Sequence, residues 1–153
     1  MSRLALCLLL ILASWLSFGS KPVAAEDAKP PFSFVVPVSL SNLHKNLTLL
    51  RVRCWVLPGT DWKARGGALG EGVSGPVDTT LDGGVRTFSG DVTANVPLRD
   101  PRLDPGAAHA YRCQIELYDA GGRVWADMAM IDKRYPIDKA SMSISETGGL
   151  IGH

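Results

Sequence analysis

The chain has 153 residues, with 16 Lys and Arg against 15 Asp and Glu, a formal charge of +1, and an apolar fraction of 46%. So even a charge balance gives no electrostatic case for binding nucleic acid or an acidic membrane surface. The length suits a single domain with one core once a leader is set aside.

The leader is residues 1–25. Arg3 precedes an uncharged run from Leu4 to Leu16, the charged and apolar regions of a secretory signal. The run is roughly 13 residues, short of the ~20 needed to cross a bilayer as a helix, and it breaks at residues 17–22 with Ser, Gly and Pro. Val23-Ala24-Ala25 sets the expected cut before Glu26, leaving no membrane span in the mature chain. Cys7 lies inside the apolar run behind the large Leu6, unlike a lipid-attachment cysteine, and is expected to leave with the leader. Loss of Arg3 and Lys21 takes the cations from 16 to 14 against 15 acids, a mature net charge of −1. The two remaining cysteines, Cys54 and Cys113, are an even count in an oxidising compartment, so a disulfide is expected. Closing a loop of about 60 residues contributes roughly 4 kcal/mol in the chain-entropy model.

Beyond residue 25 no helical periodicity is sustained, and period-two alternation recurs, so the mature domain is predicted to be all-β. Residues 26–31 read as an extended N-terminal segment and residues 32–132 as the domain. Over residues 32–40 Phe32, Phe34, Val36, Val38 and Leu40 form one apolar side, and Pro37, which has no amide hydrogen, suits an edge strand. Over residues 48–57 Leu50, Val52, Cys54 and Val56 are predicted inward, with Arg51, Arg53 and Trp55 outward. Residues 62–81 are Gly-rich and give weak strand signals. Asp82-Gly83-Gly84 marks a hairpin, after which Phe88, Gly90, Val92, Ala94, Val96 and Leu98 alternate with polar residues.

Tyr111, Cys113, Ile115 and Leu117 form the next apolar side. A hairpin around Ala120-Gly121 then sets Leu117 opposite Val124, Ile115 opposite Ala126 and Cys113 opposite Met128, with Glu116, Gln114 and Trp125 facing solvent. Residues 133–153, polar and then Ser/Gly-rich, read as a flexible C-terminal tail.

A cysteine on an early strand, a second about 60 residues later and a tyrosine two positions before it, here Cys54, Cys113 and Tyr111, resemble the immunoglobulin-like sandwich. Residues 103–106 look like the turn before a tyrosine corner. The resemblance implies an antiparallel sandwich of about seven strands, the cysteines joined across the core, and Tyr111 bonded to upstream backbone. Trp62 lies closer to Cys54 than the core tryptophan of antibody-type domains.

The residues that carry chemistry elsewhere read here as structural. His44 and His109 are isolated in sequence and His153 is terminal, without the clustered spacing of a metal site. No serine sits in a nucleophile-elbow motif. The glycines at 66, 67, 70 and 72 lack the Lys-Ser/Thr ending of a phosphate loop and suit flexible β connections. Asp78, Asp82, Asp100 and Asp104 suit turns. Asn46-Leu47-Thr48 matches the N-glycosylation acceptor pattern. The expectation is therefore a non-enzymatic module without catalytic, cofactor or metal residues. Trp55 and Trp125, with Arg112 and Arg123, are the candidate binding face, for another exported protein or a surface glycan and not for nucleic acid. The competing expectation is a structural cell-surface subunit that polymerises by strand addition.

Overall fold

A computed structural model describes residues 29–64, 66–125, 141–142 and 146–152. The leader, the segment from Ala126 through Met128 and Met130 to residue 140, residues 143–145, His153 and the side chain of Trp125 lie outside the described residues.

The described chain is all-β, two antiparallel sheets packed face to face. Its strands are β1 (Phe32–His44), β2 (Leu47–Leu57), β3 (Gly70–Val73), β4 (Val77–Asp78), β5 (Thr80–Asp82), β6 (Val85–Val96), β7 (Ala110–Asp119), β8 (Val124–Trp125), β9 (Ser141–Met142) and β10 (Glu146–Leu150). One sheet runs β5-β6-β1-β9; the other runs β10-β7-β2-β3, with β4 also on β2 and β8 also on β7.

Alternation builds the core between them. Val36, Val38 and Leu40 of β1 and Val92, Ala94 and Val96 of β6 meet Leu50, Val52, Cys54 and Val56 of β2 and Cys113, Ile115 and Leu117 of β7, all buried. The parity of β1 switches after Leu40. A bulge with Asn42 at φ 55° puts two residues opposite one, so that Leu43 turns inward.

The strand predicted from residue 32 pairs with β6 along its whole length, Phe32 with Val96 and His44 with Val85. β5 and β6 close through Gly83 and Gly84, both at positive φ, as a type I′ turn requires. Thr79 carries the chain from β4 in one sheet to β5 in the other. Its amide donates to the Thr48 carbonyl (3.0 Å), its hydroxyl to the Leu47 carbonyl (2.7 Å), and Arg86 donates to the carbonyls of Thr79 and Lys45.

Four expectations are corrected. First, Cys54 and Cys113 do form a disulfide, but they are directly opposed on adjacent strands of one sheet, Cα atoms 4.1 Å apart, and do not bridge the core. Their side chains point inward because both strands present that parity to the core. Among the described residues the Tyr111 hydroxyl meets no upstream backbone group of a tyrosine corner, and its ring stacks on Phe34, centroids 4.7 Å apart.

Second, the β7–β8 register is one residue away from the expected one, with Tyr118 opposite Val124 and Leu117 opposite Trp125. The loop is three residues long: Asp119 pairs with Arg123, Gly122 takes φ 76°, and Asp119 Oδ1 accepts the amides of Gly121 (2.8 Å) and Arg123 (3.1 Å). One extra residue moves Val124 to the other side, where it is 48% exposed.

Third, the tail contributes strands. Glu146–Leu150 is β10, and Cys113 faces Thr147 in its register with β7. Gly148 fits there because the Trp62 ring and the Tyr111 carbonyl fill the space a Cβ would need. Fourth, Gly70 and Gly72 are not flexible connections. They lie in β3, where the Pro97 and Asn95 carbonyls at the end of β6 leave no room for a side chain.

Candidate functional site

The outward positions of β2 and β7 build one continuous polar and aromatic face. Because Arg51 pairs with Glu116, Arg53 with Gln114, and Trp55 with Arg112, side chains far apart in sequence become neighbours. At its centre Arg53 Nε donates to Glu116 Oε1 (2.6 Å) and Nη1 to Glu71 Oε1. Arg99 reaches the other oxygen of Glu71 at 3.3 Å, and the Tyr118 hydroxyl donates to Glu116 Oε2 at 3.1 Å. This ties β2, β3 and β7 to the chain after β6.

Glu116 shares the outward side, as its parity predicts, yet only 6% of it is exposed beneath Arg53 and Tyr118. The Arg53 guanidinium holds the Glu71 carboxyl below its ordinary value, against the opposing pull of burial. Glu116 does most to raise Arg53. Burial, then the charge of Glu116, raises the Tyr118 phenol above its ordinary value.

At one end of the face the Arg112 guanidinium lies 4.4 Å from the centre of the Trp55 ring, a cation–π contact. Its Nη1 donates to the Ala64 carbonyl (3.3 Å), and its Nε lies 3.4 Å from Glu146 Oε1, within ion-pair range but without hydrogen-bond alignment. The loop carrying Trp62 therefore roofs this end. At the other end Arg51 sits 5.4 Å over the Tyr118 ring, and Leu49 and Val124, the register partners of Tyr118, share its side of the sheet.

The structure thus brings together two of the four residues expected to form a binding face, Trp55 and Arg112. Arg123 stands apart in the exposed β7–β8 turn beside Asp119, at the opposite end of β7 from Arg112. The backbone of Trp125 pairs with Leu117. Sequence reasoning missed Arg51, Arg53 and Tyr118; the signal was their shared outward parity, which placed them without showing that β2 and β7 are neighbours.

The remaining candidates are dispersed. His44 ends β1, whereas the His109 amide donates to the Leu57 carbonyl at the opposite end of β2. Asp100 holds the amide and guanidinium of Arg102, and Asp104 caps the 3₁₀ turn Pro105–Ala107 by accepting the Gly106 amide. Asn46 is exposed in the corner between β1 and β2. A second feature is an open groove of about 370 Å³ where β1 begins and β6 ends, walled by Pro30, Pro31, Pro97, Pro101, Pro105 and Leu98.

No protein-family profile, curated protein or solved structure matches the chain.

Proposed function

We propose that the chain is an exported, non-enzymatic binding module, periplasmic or extracellular, whose contact surface is the outer face of the β10-β7-β2-β3 sheet. One observation carries this reading: the outward positions of β2 and β7 hold Arg51, Arg53, Trp55, Arg112 and Tyr118, the side-chain types that dominate binding hot spots. Arg51 rests on Tyr118, Arg53 on Glu116, and Arg112 on Trp55, so less side-chain entropy is lost when a partner docks. The disulfide accords with an oxidising, extracytoplasmic setting, and the leader supplies the route there. Kinship with immunoglobulin-like sandwiches enters only as two-sheet architecture.

The test is a photo-crosslinking residue at Val124, on this face, and at Val35, on the outside of β1, each introduced into the exported protein. Adducts from Val124 and none from Val35 are expected. The reverse pattern supports polymerisation by strand addition.

That second reading has an observation of its own. Among the described residues β9 pairs with β1 only at Leu40 and Ser41, leaving the edge from Phe32 to Val38 without a strand partner. Pro37, with no amide hydrogen, interrupts that edge and disfavours an added strand. A native mass that stays constant with concentration supports the module, and a ladder supports the polymer.

A further inference from the structure

We infer that the partner of this face is an acidic, extended protein segment that sets a carboxylate on Arg51 and apolar side chains on Leu49 and Val124. The inference rests on the binding-module reading and follows from the charge left over on the face. Among the described residues Arg53 meets Glu116 and Glu71, Arg99 shares Glu71, and Arg112 faces Glu146. Among the described residues Arg51 is paired with no carboxylate. Its register partner Glu116 gives one oxygen to Arg53 Nε and the other to the Tyr118 hydroxyl. Among the described residues of the face four arginines thus stand against three glutamates, and the surplus sits on a guanidinium held over an aromatic ring. A planar fork held in one place fits a carboxylate through two parallel hydrogen bonds.

The surroundings narrow the anion further. Val124 is 48% exposed, and Leu49 and the Tyr118 ring lie on the same side of the sheet, so the site next to the charge is apolar. A bare phosphate would leave that apolar surface in water. A peptide with Glu or Asp two positions from a large apolar residue covers both, and its extended form matches the spacing along the strands.

The probe is a short synthetic peptide that repeats Leu-Thr-Glu-Thr, so that each glutamate lies two positions from a leucine on the same side of the extended chain, titrated into the full exported chain at low and at physiological ionic strength. The same peptide with glutamine for glutamate is the control, and polygalacturonate is the acidic-polysaccharide arm. Binding of the glutamate peptide is expected to weaken with salt and by about tenfold or more with the glutamine peptide or Arg51→Ala, with Arg51→Lys between. An unchanged melting temperature confirms that each variant is folded. No binding at low salt, binding indifferent to Arg51→Ala, or tighter Arg51-dependent binding of polygalacturonate each overturns the inference. In those cases continued crosslinking at Val124 leaves the binding face standing, whereas its loss removes the face as well.

Discussion

Glu116 is the carboxylate on which the outer face turns. Both its oxygens are engaged, and the group is nearly sealed from water, so removing it strands the Arg53 guanidinium against a protein surface with one partner fewer. Arg53 remains about a third exposed, which lets water recover part of the loss. Glu116→Ala is therefore expected to cost about 2 to 4 kcal/mol in urea unfolding. Glu71 predicts a pH dependence of known sign. Because Arg53 lowers its folded pKa below the ordinary 4.5, the unfolded chain takes up the proton first. The contribution is complete above about pH 4.5 and is lost as the pH falls through the lowered value. The midpoint of urea unfolding should drop over that acid window in the native chain and less in Glu71→Gln.

At the scale of elements, β10 depends on one glycine. The Trp62 ring lies where a Gly148 side chain would begin, and the Tyr111 carbonyl is 2.6 Å from the same point. The ring can swing away but the carbonyl is fixed in β7. Gly148→Ala is accordingly expected to cost about 1 to 3 kcal/mol and to speed hydrogen exchange of those β10 amides bonded to β7, with Trp62→Ala relieving only part of the loss. This element also marks where the sequence was and was not readable. β1, β2, β6 and β7 were legible because each buries one side, and burial writes a period of two into the chain. β3 and β10 were not, since the close approach that demands Gly70, Gly72 and Gly148 removes the side chains that would have shown the period. The slip at Val124 came from a single residue of loop length, which alternation cannot count. On the face, outward parity pointed to Trp55 and Arg112 separately, but only the pairing of β2 with β7 stacks them.

For the molecule as a whole, the disulfide joins the two central strands of one sheet. Replacing both cysteines by alanine is expected to lower stability by roughly 3 to 4 kcal/mol, read as a shift in denaturant midpoint. The same bond divides the chain mechanically. Cys54 and Cys113 are 59 residues apart, and β3 to β6 all lie between them. Tension applied at the two ends passes through the sulfur atoms and bypasses that loop, so a stretched molecule can yield β1, β2 up to Cys54 and the strands beyond Cys113, but nothing in between. A single-molecule pulling experiment should therefore find about 200 Å of additional contour length appearing only after reductant is added. Anchored between two surfaces, the chain would keep more than a third of its residues out of the line of force.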